Sequence, residues 1–250
     1  MVQLIRMNGA VVLTCLIFAV ALLYSSVGHA GASGYLAAMA LMGVSASVMK
    51  PAALVLNIIV ASIATVRFYQ AGCFSWPTLW PFIIGAIPLS FVGGAIQLPS
   101  HIYKPVVGCV LLFAALRLVN SAVKGQSAAT KQAPIWAAIV SGAIIGLLAG
   151  LTGTGGGIFL SPLLLFLGWA EIRETAGVTA AFVLVNSIAG LAGNLASVKY
   201  LPSEIGVLAI AAAVGGIIGS ELGSRRLAPV TLRYLLAAVL FVAGCKMMVV

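Results

Sequence analysis

An all-α polytopic membrane fold is predicted, built from two related and inverted repeats, each a glycine-broken half-helix hairpin plus three transmembrane helices. Three observations predict it. Of the 250 residues, 62% are hydrophobic and only 7% charged, against about 25% charged in a soluble domain, and the mean hydropathy is +1.20. The apolar runs are continuous rather than alternating, which suits spanning helices and not a β-barrel. The runs also recur in the same order in the two halves of the chain.

The apolar segments fall at 9–27, 33–48, 51–70, 78–97 and 103–122, then at 135–152, 157–170, 176–197, 204–222 and 231–250. A polar linker, KGQSAATKQAP (124–134), separates a first repeat, 1–123, from a second, 135–250. Near the N-terminus, Arg6, the apolar stretch 10–23 and GHA at 28–30 imitate a secretory signal with a small-x-small cleavage site. The stretch reads as retained, because the imitation site lies in a segment that recurs later. VGHAGASGYLAAMALMG (27–43) aligns with TGTGGGIFLSPLLLFLG (152–168), placing Gly28, Gly31 and Gly43 opposite Gly153, Gly156 and Gly168. VLN (55–57) matches LVN (184–186), and VLLFAALRL (110–118) is similar to VLFVAGCKM (239–247).

The second segment of each half is too short to span. At 1.5 Å per residue, 158–170 reaches about 20 Å against a hydrocarbon core of ~30 Å, and 35–48 is similar. Each is therefore a half-helix that either doubles back on the first segment or continues it as a broken span. Doubling back inverts the halves, as in many secondary transporters. The distribution of Lys and Arg favours that arrangement, with the linker inside and both termini outside.

AGLTGTGGGIFLSP (149–162) is the most informative stretch. Glycine costs a helix interior roughly 1 kcal/mol relative to alanine, and unpaired backbone groups in hydrocarbon cost several kcal/mol. Such a break is tolerated where it is buried in protein or lines a wet cavity. A half-helix starting after it offers free N–H groups and a positive dipole end, an anion site without a charged side chain. The candidate substrate-binding residues are Gly28, His29, Gly31 and Ser33 in the first break, and Thr152, Gly153, Thr154, Gly155, Gly156 and Gly157 in the second. Asn57 and Asn186, at matching positions in the third segments, and Ser187 join them, with Ser62 a weaker hydroxyl candidate. Two glycine ladders spaced by four, Gly142/Gly146/Gly150 and Gly215/Gly219/Gly223, read instead as helix-packing surfaces.

The net charge of +9 arises from thirteen Lys and Arg against four Glu and no Asp. The cations mostly flank apolar runs, so they read as topology signals and lipid contacts, not a nucleic-acid surface. Arg67 and Arg117, near segment ends, fit headgroup contact better than anion guidance. Glu171 and Glu174 read as a solvated helix start, Glu204 as a helix N-terminal acid and Glu221 as the partner of Arg225. No acid lies deep in an apolar run, so proton or Na⁺ sites built on buried carboxylates lack support, as does a metal site. The four cysteines form no Cys-x-x-Cys pair and read as buried small residues. No cofactor is expected. GHAGASG (28–34) carries a histidine four residues before a serine, the parts of an intramembrane serine protease, but the matching stretch of the second half has neither residue.

GLLAGLTGTGGGIFLSPLLLFLG (146–168), its weaker copy at 24–43 and the Asn186 that follows resemble the TauE/SafE sulfite exporter family over almost the whole chain. The first half departs from the pattern by carrying His29 and Ser33 and by lacking a counterpart of Pro162. The resemblance implies a multi-pass transporter of the plasma (inner) membrane, linked to sulfite, organosulfonates or related anions. The expected activity is export of a small anion by alternating access around the two breaks; the rivals are a passive anion channel and, further off, the protease. Membrane lipid is an expected partner, and a homo-oligomer is compatible with the sequence.

Overall fold

A computed structural model describes residues 2–96, 131–195, 201, 204–228 and isolated helical positions between 112 and 119 and between 230 and 245. The fifth segment of each half lies largely outside these. The described residues form α1 (Val2–Ser26), α2 (Ala32–Leu41), α3 (Ala46–Gln70), α4 (Trp76–Ala95), α5 (Ile135–Thr152), α6 (Gly157–Leu167), α7 (Ile172–Gly193) and α8 (Ile205–Glu221). No strand occurs among them. Six of the eight helices are long and apolar enough to cross a membrane; α2 and α6 are not.

The short helices double back. Ser33, at the start of α2, bonds to Tyr24 near the end of α1, Gly34 lies against Val20, and a Cβ on Gly9 would touch Met42 beyond the far end of α2. In the second half the amide of Lys131, before α5, donates to the carbonyl of Gly168, after α6, at 2.7 Å. Each glycine break therefore joins a long arm to a half-length arm of about 15 Å that returns to the side where the long arm began. The arms end at Gly43 and Gly168, both with positive φ (70° and 65°), the left-handed closure that glycine supplies most readily.

Residue pairings fix the helix directions. Gly215, Gly219 and Gly223 press against the carbonyls of Phe18, Leu22 and Ser26, so α1 and α8 are parallel. Gly142, Gly146 and Gly150 press against Phe82, Ala86 and Ser90, so α4 and α5 are parallel. Thr78 meets Glu174 and Ser90 meets Asn186, which aligns α7 with α4. Asn57 meets Ser187 and Phe68 meets Gly177, so α3 and α7 run in opposite directions. Hence α1, α3 and α8 run one way and α4, α5 and α7 the other. Every long helix of 135–226 opposes its counterpart in 2–95. The contacts obey the same correspondence, since the fourth helix of each set packs on the first of the other.

Both glycine ladders are packing surfaces, since a Cβ on Gly142, Gly146, Gly150, Gly215, Gly219 or Gly223 would collide with a carbonyl of the neighbouring helix. Between helices in lipid, where apolar burial drives nothing, such backbone contact supplies the attraction. The buried side chains divide into an aliphatic cluster around Tyr35, Leu56 and Val60 and an aromatic one around Phe82, Leu160 and Phe182, one behind each short arm.

The observed helices shift some expected bounds. The third segment begins at Ala46, with Pro51 inside it, and not at 51. The seventh helix begins at Ile172, directly after Glu171, so Arg173 and Glu174 belong to its first turn. Glu204 precedes α8 as an N-terminal acid. Glu221 bonds to Arg67 at 3.3 Å more closely than to Arg225 at 3.8 Å. Beyond it, α8 closes in a single π-turn, Leu222–Arg226, whose carbonyl of Ser224 and the carbonyl of Leu227 accept from Arg173 at 3.3 and 2.8 Å.

Candidate functional site

The two breaks meet. Residues of both, with the ends of α2 and α6 that follow them, line one small cavity: His29, Gly31 and Ser33 from one side, Thr154, Gly157 and Ile158 from the other. It has room for about one water. Gly157 lies against Val183 and Thr179, and Gly155 against Asn57, Val183 and Ser187. These are the middle turns of α3 and α7, so the cavity lies near mid-depth of the helical layer.

Helix chemistry makes this cavity a cluster of donors. α2 and α6 start at it and run away in opposite directions, so their N-termini face each other. The first helical bonds of each are Tyr35 N–H to Gly31 and Phe159 N–H to Gly156; the amides before them have no acceptor within their own helix. Both positive dipole ends point at the same space. No charged side chain among the described residues lines it.

The second break turns on Gly153, Gly155 and Gly156, with φ of 72°, 72° and 82°, a conformation costly for other residues. Thr152 donates to Leu148 at 2.7 Å, and its hydroxyl lies 2.8 Å from that of Thr154. Gly153 is covered by the stem of Lys50, whose ammonium donates to the carbonyl of Gly94 at 3.1 Å. The first break turns on Gly28 and Gly31. Gly28 is a packing position as well, since any Cβ there would collide with the carbonyl of Ala176.

His29 is buried, and its Nε2 is hydrogen-bonded to Ser161 at 2.8 Å. Ser161 continues to Thr179 at 2.9 Å. Ser33 donates to the hydroxyl of Tyr24 at 3.1 Å. Histidine and serine thus engage different partners, and no nucleophile-base pair joins them.

The asparagines stand beside the cavity, not on its wall. Asn57 donates to Ser187 at 3.3 Å, and its Nδ2 lies 2.8 Å from where a Cβ on Gly155 would be. Asn186 donates to Phe182 in its own helix at 2.9 Å. Both Oδ1 atoms are buried without a partner among the described residues. Ser62 donates to Ile58 one turn back, away from the site. Sequence reasoning missed Tyr24, Ser161, Thr179 and Val183. Thr179 and Val183 precede Asn186 by seven and three residues, the spacing of one helix face, so tracing that face from Asn186 would have found them. Nothing local marks Tyr24 or Ser161.

This paired, uncharged, donor-rich break in an inverted helical bundle has relatives. The family described as Sulfite exporter TauE/SafE matches residues 13–247. The chain belongs to the TauE/SafE family. It is 43% identical over 242 residues, 96% of its own length and 98% of the relative's, to a Sinorhizobium fredii (strain NBRC 101917 / NGR234) protein named "Probable membrane transporter protein y4hK". No solved structure matches. As a TauE/SafE protein the chain is a multi-pass membrane transporter, not an enzyme.

Proposed function

We propose that the cavity between the breaks is the binding site of a secondary transporter that exports small sulfur-containing anions, sulfite or organosulfonates, by alternating access. One observation carries this reading: two half-helix N-termini face each other across one small cavity with no charged side chain among the described residues that line it. Backbone amides hold an oxyanion from several directions, and without a fixed positive charge they release it again. The candidate residues of both breaks are the contacts, while Asn57 and Ser187, which lie against Gly155, hold the break of the second repeat in shape. Residues 1–123 and 135–250 are the two rocking units, with the 124–134 linker on the cytoplasmic side of the plasma membrane. The narrowness of the site, with room for about one water, favours a carrier over an open anion channel.

The test is a flux screen in reconstituted vesicles with sulfite, sulfate, thiosulfate and sulfonates, with and without a pH gradient. Saturable flux of sulfite or a sulfonate is expected. Non-saturating, gradient-independent flux would make the protein a channel, and absence of flux for every anion would overturn the reading.

A further inference from the structure

We propose that His29 is the proton-binding group of the transport cycle, so that each anion crosses with one proton. The proposal deepens the anion-site reading and rests on it.

His29 is one of two histidines in the chain; the other, His101, lies outside the described residues. It is 2% exposed, yet it lines the cavity between the two helix N-termini. Its ring is held by one nitrogen. Nε2 bonds to Ser161, which is bonded in turn to Thr179, so α6 and α7 both fix the imidazole. Nδ1 is buried and has no hydrogen-bond partner among the described residues. In neutral imidazole one nitrogen donates and the other accepts; in imidazolium both donate. With Nε2 committed to Ser161, uptake of a proton leaves Nδ1 presenting an N–H and the ring carrying a full charge. Both favour an anion in the cavity. The coupling is reciprocal: a bound anion favours the protonated ring, and the protonated ring favours the anion. When the anion departs, the imidazolium stands alone in an apolar site, and the proton leaves with it.

No other group at the site serves this role. From α1 the ring faces Tyr24, with ring centroids 6.4 Å apart. From α2, Tyr35 turns its hydroxyl to the carbonyl of Ala30. α6 contributes Ser161 and α7 contributes Thr179. The charged pair at the start of α7 is engaged elsewhere, Arg173 with the carbonyls of Ser224 and Leu227 and Glu174 with Thr78. Imidazole is the one side chain among these whose free nitrogen becomes a charged donor on taking up a proton.

The experiment uses the full chain in liposomes holding a pH-sensitive dye, with the membrane potential clamped at zero. The probe is ethanesulfonate, a permanently ionised anion that cannot carry the proton itself. With the outside one pH unit more acidic, the wild-type chain should accumulate the probe about tenfold, the value of one pH unit at one proton per anion, while the lumen acidifies. In His29→Gln, whatever flux remains should equilibrate the probe with no accumulation. Tenfold accumulation by His29→Gln would overturn the proposal. Probe uptake by the wild-type chain without lumenal acidification would overturn it too, and needs no variant to fold. Failure of the wild-type chain to move either ethanesulfonate or sulfite would instead overturn the anion reading beneath it.

Discussion

The two glycine breaks occupy equivalent places in the fold but are built differently. The second, Gly153–Gly156, contains three glycines with positive φ and is covered by the aliphatic stem of Lys50. The first has two, Gly28 and Gly31, and Gly28 is clamped against the backbone of Ala176. Where the second break carries Thr154, the first carries His29, wired to α6 and α7 through Ser161 and Thr179. One break is a turn with exposed amides; the other is a turn with a titratable ring. A paired site can thus hold its ligand with one break and sense protonation with the other.

Substitutions should separate the two breaks, and the largest effects fall on their glycines. Gly155→Leu forces a branched side chain into a φ of 72° against Asn57, Val183 and Ser187. We expect at least a hundredfold loss of flux in vesicles while the protein still inserts, because the two ladders that hold the bundle are untouched. Gly28→Ala should instead deplete the folded protein itself, read as loss of the monodisperse species after detergent extraction, because its Cβ would overlap the carbonyl of Ala176. Flux at normal level in either variant would count against the roles assigned here.

The ladders come next. Gly146→Ala and Gly219→Ala, whose Cβ atoms would collide with the carbonyls of Ala86 and Leu22, should each lower stability in detergent by about 1–3 kcal/mol, the usual cost of overpacking. Gly206→Ala, on α8 with nothing within 4 Å, should be neutral or slightly stabilising, by about 1 kcal/mol at most. Equal effects at Gly146 and Gly206 would remove the packing role. Glu221→Gln should have the smallest effect. Its pair with Arg67 is partly exposed, with side-chain accessibilities of 37% and 31%, so a loss of less than about 1 kcal/mol that shrinks with added salt is expected. A larger, salt-independent loss in thermal unfolding would make this pair a structural clamp.

The sequence showed the breaks plainly, because consecutive glycines cannot be a packing ladder and because the short segments after them cannot span. The inverted order of helices was legible from the same two facts together with the basic flanks. The wiring of His29 was not. Ser161 and Thr179 belong to different helices, and their meeting depends on α7 running back alongside α6, which no local pattern records. The third apolar segment is expected at 51–70, whereas the helix already runs from Ala46 with Pro51 inside it. Glu221 was paired with Arg225 by helical spacing, and the better partner, Arg67, came from a helix 154 positions away in sequence.

The central claim is that one anion lies between both breaks. Cysteine protection tests it most directly. Ser33→Cys and Thr154→Cys, each in a chain whose four native cysteines are replaced by serine, are reacted with a small thiol reagent in vesicles that transport ethanesulfonate. A single shared site predicts that saturating ethanesulfonate slows modification at both positions, at least severalfold and with the same half-effect concentration. Protection at one position only, or at neither while transport continues, would contradict it.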